Sequence, residues 1–304
     1  IMAIETLVKT IFSDEFRKER WEDLNAGKLL DPQFKKDMKF GDEVDVQFHD
    51  PLTMNDYEGG DLDISTVEKA GTSTVKVKIN KGKSIFFKLD EAKLDQIKNA
   101  KTDNEKIKLV KEYSADAREQ FDRAINKACC EQRIRATMLE NNRAITISDT
   151  NVHQVFASAK TALVKGDGKG HTAWKDGEMI AVISPEMEAF MSTMKILQYS
   201  DVMAKHYKKG FVGMFMGFAV VVDNNIDKTT EVVSGENVTY EYPLFGRAKR
   251  TIAGGVQKDF KLESGKKVGG FDTHYWGKGV FGVKAPLSYL LVSAKCLVKF
   301  TIGS

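Results

Sequence analysis

With 304 residues, 42% of them hydrophobic, and a net charge of +3, the chain can bury a large core in one or two domains, and its total charge announces neither nucleic-acid nor membrane binding. No apolar run approaches the roughly 18 residues of a membrane span, and the opening Met2-Ala3-Ile4-Glu5 lacks the charged and apolar pattern of a secretion signal. Cys129, Cys130 and Cys296 show no framework spacing and are expected as reduced core residues, in keeping with a cytoplasmic site of synthesis.

In chain order, Ile4, Leu7, Val8, Ile11 and Phe12 recur at helical spacing, and Trp21 and Leu24 follow before a break at Gly27. This reads as an amphipathic arm, packed on its own domain or docked on a neighbour. Asp31-Pro32 punctuates the chain before its most informative stretch. Between Gly41 and Asp63 there are eight acids (Asp42, Glu43, Asp45, Asp50, Asp56, Glu58, Asp61, Asp63) and no Lys or Arg. Between Thr74 and Lys88 the balance inverts: Lys76, Lys78, Lys81, Lys83 and Lys88 meet no acid. Val44, Val46 and Phe48 on one side, and Val75, Val77 and Ile79 on the other, alternate with polar residues in the strand period of two. Paired antiparallel, the arms set carboxylates across from ammonium groups, each exposed pair contributing roughly 0.2 to 1 kcal/mol. With so few large apolar residues the hairpin needs a further surface, either its own domain or a neighbouring subunit.

Ser84 to Leu89 reads as an apolar strand, and Ala92, Leu94 and Ile97 as the start of a short helix. A long helix is expected from a cap at Thr102 or Asp103 to about Leu139, its stripe formed by Val110, Tyr113, Ser114, Ala117, Phe121, Ala124 and Ala128, widened by Ile125 and Cys129. Gly166 to Gly170 reads as a turn, Met179 to Ile183 as a buried strand, and Ser184-Pro185 as the entry to another helix. Phe211 to Val222 is an apolar strand region interrupted by Gly213 and Gly217 and closed by Asp223-Asn224-Asn225. Val232 to Tyr242 suggests a solvent-facing hairpin, and two further strands are expected at 268–274 and 279–284. No repeat or clean linker appears. Pro243 to Ser304 holds 11 Lys and Arg against 3 acids, a local balance of +8 that complements the acidic segment.

The sequence offers little chemistry. The five histidines lie apart without metal-ligand spacing; Gly166 to Gly170 and Gly254-Gly255 fail the phosphate-loop and dinucleotide patterns; Ser184 precedes a proline and is not in a nucleophile elbow. No catalytic residue, cofactor or metal is expected, and the chain does not read as an enzyme.

Five segments, taken in order, resemble the tailed-bacteriophage major capsid protein family, which has the Hong Kong ninety-seven fold. They are Ile85 to Glu91 with Asp95 and Gln96; the helix from Asp103 to Leu139; Met179 to Met187; Gly210 to Ile226; and the closing Gly270-Phe271-Asp272, Gly277, Phe281-Gly282, Lys284-Ala285-Pro286. The resemblance covers nearly the whole chain. It implies an α+β fold with an N-terminal arm (1–40), an extended β-hairpin loop (41–91), a peripheral domain with a long spine helix (92–145 and 250–304) and an axial domain (146–249). It also implies self-assembly into hexamers and pentamers of an icosahedral head, made in the host cytoplasm around non-specifically contacted double-stranded DNA, without a membrane. Separate scaffolding and portal proteins, and decoration proteins, are the implied partners; with no long coiled-coil N-terminal extension in the sequence, a fused scaffolding domain is expected to be absent or already removed. Asp45, Asp56, Glu58, Asp61, Lys76, Lys78, Phe12 and Trp21 are the candidate intersubunit contacts. The alternatives are an encapsulin-type nanocompartment shell, of similar fold but enclosing a cargo enzyme, and a metabolic enzyme with a pocket near Trp174, His171 and Tyr207.

Overall fold

The computed structural model describes residues 24–31, 43–49, 71–90, 103–168, 171–198, 210–266 and 272–298, within which short strands alternate with three α-helices. Leu30–Asp31 is β1, Glu43–His49 and Thr72–Lys78 are β2 and β3, and Lys81–Asp90 is β4. Helix α1, Asp103–Cys130, precedes β5 (Thr137–Met138) and β6 (Ile145–Thr146). Helix α2 spans Asp149–Lys165, β7 Met179–Ile183 and α3 Pro185–Thr193. The hairpins β8 (Phe211–Phe215) with β9 (Phe218–Val222), and β10 (Lys228–Val233) with β11 (Glu236–Glu241), follow. The chain continues as β12 (Leu244–Arg247), β13 (Ile252–Lys266), β14 (Asp272–Lys284), β15 (Leu291–Ser293) and β16 (Cys296–Leu297). The sheets are ordered β1-β13-β14-β4, β10-β11-β16-β6, β5-β15-β12-β7-β9-β8 and β2-β3.

One compact unit draws on Gly82–Arg123 and Lys258–Val280, and the other on Ala124–Gln257 with residues 24–81 and 281–298. In the first, the apolar stripe of α1 meets strand residues of matching period. Phe87 packs against Tyr113 and Tyr275 at centroid distances of 5.3 and 5.1 Å, and Phe121 against Phe260 at 5.9 Å. Glycine in β14 permits this approach: a Cβ at Gly279 would lie 2.4 Å from the Phe121 ring, and one at Gly277 2.6 Å from Phe260.

In the second unit the core is built on α2. Val152, Val155, Phe156, Ala159 and Leu163, all at helical spacing, are fully buried against the six-stranded sheet. Phe156 meets Phe215, Phe218 and Phe245 edge-on at 4.8, 5.8 and 5.0 Å, the geometry the ring quadrupole favours; truncating such a ring typically costs about 3 to 5 kcal/mol. Strand β7 is buried at every residue because it lies inside its sheet, flanked by β12 and β9. It ends as the sequence indicates: the Ser184 hydroxyl accepts from the Met187 amide at 3.1 Å, and Pro185 and Glu186 occupy the first turn of α3. The three cysteines are free and buried, and burial pushes the Cys296 thiol pKa up to about 12.

Three expectations are corrected. The α-helix ends at Cys130, a length of ~42 Å for 28 residues, and not near Leu139. Beyond it Glu131–Arg135 tightens into a 3-10 turn whose polar side chains are engaged elsewhere. Glu131 pairs with Lys81 at 2.7 Å, and Gln132 donates to the Ala128 carbonyl and accepts from the Ala285 amide at 3.0 Å. The lysine-rich run from Thr74 to Lys88 is divided, since β3 and β4 join different sheets. The described parts of the two strands expected at 268–274 and 279–284 lie in a single strand, β14, which begins at Asp272. Its 15-residue neighbour β13 is not among the strands the sequence suggests, and its glycines serve close approach; a Cβ at Gly254 would lie 2.8 Å from the Gly282 carbonyl. The short helix expected from Ala92 lies outside the described residues.

Candidate intersubunit surfaces

The charged arms pair as their pattern requires. In the β2–β3 ladder Glu43 stands opposite Lys78 and Asp45 opposite Lys76, while Val44 faces Val77 and Val46 faces Val75. Because partners across a ladder share a face, the charges lie together on one side and the valines on the other. Asp45, Lys76 and Lys78 are exposed, whereas Val44, Val46, Val77 and Ile79 are buried. Burial of these four within one chain settles what the root of the hairpin lies on: its own subunit. The closing motif forms part of that seat. Lys284 Nζ donates to the Lys76 carbonyl at 2.6 Å, and Gly282 passes so close that a Cβ there would lie 2.6 Å from the Lys78 carbonyl.

On the polar face, Glu43 lies 3.3 Å from Lys78 and 3.5 Å from Lys76. Its hydrogen bond and attraction to Lys78, with help from Lys76, hold its carboxyl below the usual glutamate range. A lowered folded-state pKa stabilises above the unfolded value, about 4.3, and that contribution fades as pH falls through the lowered one. Denaturation midpoints measured from pH 6 to 3 are therefore expected to fall more steeply for the native chain than for Glu43→Gln, the curves converging at the acid end.

The first unit presents a second charged face. Phe86 is 69% exposed and stacks on His274, and Trp276 donates its indole N–H to Glu263 at 3.0 Å. Ser84, Ile85, Lys258, Lys261 and Lys278 complete this shallow groove. The exposed Phe86 and Trp276 are residue types enriched at interaction surfaces, while the lysines around them have the character of a solvated rim.

The Asp223 carboxylate organises the second unit. Its Oδ2 accepts from the amides of Asn25 at 2.6 Å and Ala26 at 2.8 Å and from Asn126 Nδ2 at 2.8 Å. Its Oδ1 accepts from Asn126 Nδ2 at 3.0 Å and from the Asn225 amide at 2.8 Å. Asn126 Oδ1 in turn takes the Gly27 amide at 3.0 Å. Sequence reading finds the Asp223-Asn224-Asn225 turn and misses this clasp, whose other members lie far away along the chain. The two described residues of the suggested enzyme pocket are taken up locally: His171 Nδ1 bonds Asp167 at 2.9 Å, and Trp174 packs edge-on against Phe218 and bonds Asp176 at 2.7 Å. Tyr207 lies outside the described residues, as do Asp56, Glu58, Asp61, Phe12 and Trp21. Among the described residues no group of three or more His, Cys, Asp or Glu is placed to hold a metal ion, and no helix is long and apolar enough to cross a membrane.

The structure matches the capsid of Ralstonia phage GP4 with a TM-score of 0.69 at 10% identity, covering 97% of each chain. The fold is the Hong Kong ninety-seven type of phage capsids. A structure of Mycobacterium phage Che8 matches this capsid fold with a TM-score of 0.67 at 17% identity, over 94% of this chain and 96% of that one. The capsid of cyanophage P-SCSP1u matches with a TM-score of 0.66 at 12% identity, over 97% and 94%. No protein-family model and no curated protein matches the sequence. At such identities the shared property is the fold, over nearly the whole length of both chains.

Proposed function

We propose that the chain is a major capsid protein whose copies assemble as hexamers and pentamers into an icosahedral head around double-stranded DNA. The observation that carries this reading is the match to phage capsids over nearly the full length of both chains. Under it, the arm (1–40) and extended loop (41–91) reach neighbouring subunits, residues 92–145 with 250–304 form the peripheral domain, and 146–249 form the axial domain. The exposed charges of Asp45, Lys76 and Lys78 and the lysine-rimmed aromatic groove support an interface role, as do the opposite balances of the acidic segment and the C-terminal region. Closed symmetry lets many modest contacts add, because a subunit leaves only when all of them break together. Scaffolding, portal and decoration proteins are the proposed partners, and the shell of a virion the proposed location.

Electron microscopy of the expressed chain, alone and with a co-expressed scaffolding protein, is the direct test. Closed shells or ring-shaped capsomers are expected. A discrete small oligomer that forms no particle at any concentration overturns the reading, and shells carrying a cargo enzyme in place of nucleic acid transfer it to the encapsulin class.

A further inference from the structure

Hairpin β10–β11 is joined to the rest of its unit by little backbone. Six residue pairs connect its two strands, yet its ladder to the neighbouring strand is the single pair Glu241 with Cys296. Of its strand residues only Tyr240 and Glu241 are buried, and Val232 at the tip is 72% exposed. What attaches it is charge, supplied through three cations. Lys295 Nζ reaches both oxygens of Glu231, at 2.7 and 2.8 Å, and lies 4.2 Å over the Tyr240 ring. Lys228 Nζ bridges Glu186 of α3 at 2.7 Å and Glu241 at 2.9 Å, while the Ser184 hydroxyl donates to Glu241. Arg133 pairs with Asp227 at the hairpin's entry and lies 3.7 Å over the Tyr242 ring. Arg133 and Asp227 are 18% and 28% exposed, so that pair is shielded on both sides, whereas Lys295 at 12% faces a Glu231 that is 47% exposed.

We infer that β10–β11 is a charge-latched flap, released as a unit when its carboxylates are neutralised while the six-stranded sheet remains folded. The charged groups involved are Asp227, Lys228, Glu231, Glu236 and Glu241 on the hairpin and its entry, facing Arg133, Glu186 and Lys295. Neutralising the acids leaves Arg133 and Lys295 against the hairpin, and Lys228 at its root, without the carboxylates that offset their partial burial. The signs agree. Burial is the largest single influence on Glu186 and acts upward, but the hydrogen bond and attraction of Lys228, a backbone hydrogen bond and the bond to Glu241 together outweigh it and hold the carboxyl below the usual range. For Lys228 burial acts downward and is outweighed by its bonds to Glu186 and Glu241; Lys295 is raised chiefly by Glu231. The Glu186–Lys228 part of the latch is thus intact from above the ordinary glutamate pKa of about 4.3 to beyond that of lysine, about 10.4, and is lost as pH falls through the lowered Glu186 value. A two-stranded hairpin released from its seat is marginal by itself, so its own ladder amides lose protection too.

Hydrogen exchange read by mass spectrometry on the full chain tests this. At pH 7 the double variant Asp227→Asn with Glu231→Gln is expected to exchange amides 229–240 at least tenfold faster than the native chain, with those of 180–183 unchanged. The native chain is expected to show the same selective acceleration between pH 6 and 3.5, after correction for intrinsic exchange, and in 1 M salt at pH 7. Hairpin protection that ignores both variant and pH overturns the inference, as does acceleration of 229–240 and 180–183 together.

Discussion

Excision of residues 54–70, with the ends rejoined by a short Gly-Ser linker, is expected to leave a folded subunit that no longer makes stable shells. The reason lies in where the hairpin is buried. Val44, Val46, Val77 and Ile79 at its root are covered within their own chain, and Lys284 ties the Lys76 carbonyl down, so the subunit retains its internal contacts after the excision. The excised stretch carries Asp56, Glu58 and Asp61, the acids proposed to meet neighbouring copies. Loss of ~1.4 kcal/mol at one interface is a tenfold change in that contact, and a closed shell multiplies it over every subunit. Circular dichroism should report native secondary structure while sedimentation shows subunits or small oligomers only. Normal shells from the excised chain would refute the intersubunit role of the loop, and an unfolded chain would show that the loop serves its own subunit.

Replacing Asp223 with alanine is expected to destabilise the chain by roughly 3 to 5 kcal/mol, because buried donors from three parts of the sequence lose their acceptor together. Asp223 is 1% exposed, as are Asn25 at 1% and Asn126 at 2%, so water cannot readily substitute. The isosteric Asp223→Asn is informative because every neighbour named in the clasp is a donor. An amide at this position turns its NH2 toward backbone N–H groups or toward Asn126, and a loss of about 2 kcal/mol or more is expected although no volume changes. Denaturant midpoints of the unassembled chain measure both. A near-neutral Asp223→Asn would mean that shape, and not the acceptor pair, holds the Asn25 segment in place.

Much of the local structure was legible because it follows from short-range rules. Ser184-Pro185-Glu186 reads as a helix start and is one; the Gly217 break in an apolar run is a tight turn whose Met216 and Gly217 take φ of 51° and 90°, as a two-residue hairpin requires. The opposed charge runs and the shared period of two suggest an antiparallel pairing of carboxylates with ammonium groups; the register that sets Glu43 on Lys78 came from the structure. Strand β13 was not legible. Its glycines mean close packing only once Leu30, Gly282 and Trp276 are known to lie beside them. The helix end at Cys130 was missed for a similar reason, since Glu131, Gln132 and Arg133 have good helix propensity and leave the α-helix for partners elsewhere in the chain.

Sequence alone determined the alternation of faces, the turns, the caps and the opposition of charge between the two arms, because each depends on neighbours a few residues apart. Tertiary structure alone decided that the hairpin root seats on its own subunit, that Asp223 gathers Asn25 and Asn126, and that three cations hold β10–β11. Those arrangements join residues separated by long stretches of chain, and only the packed backbone brings their hydrogen-bonding groups and charges within reach of one another.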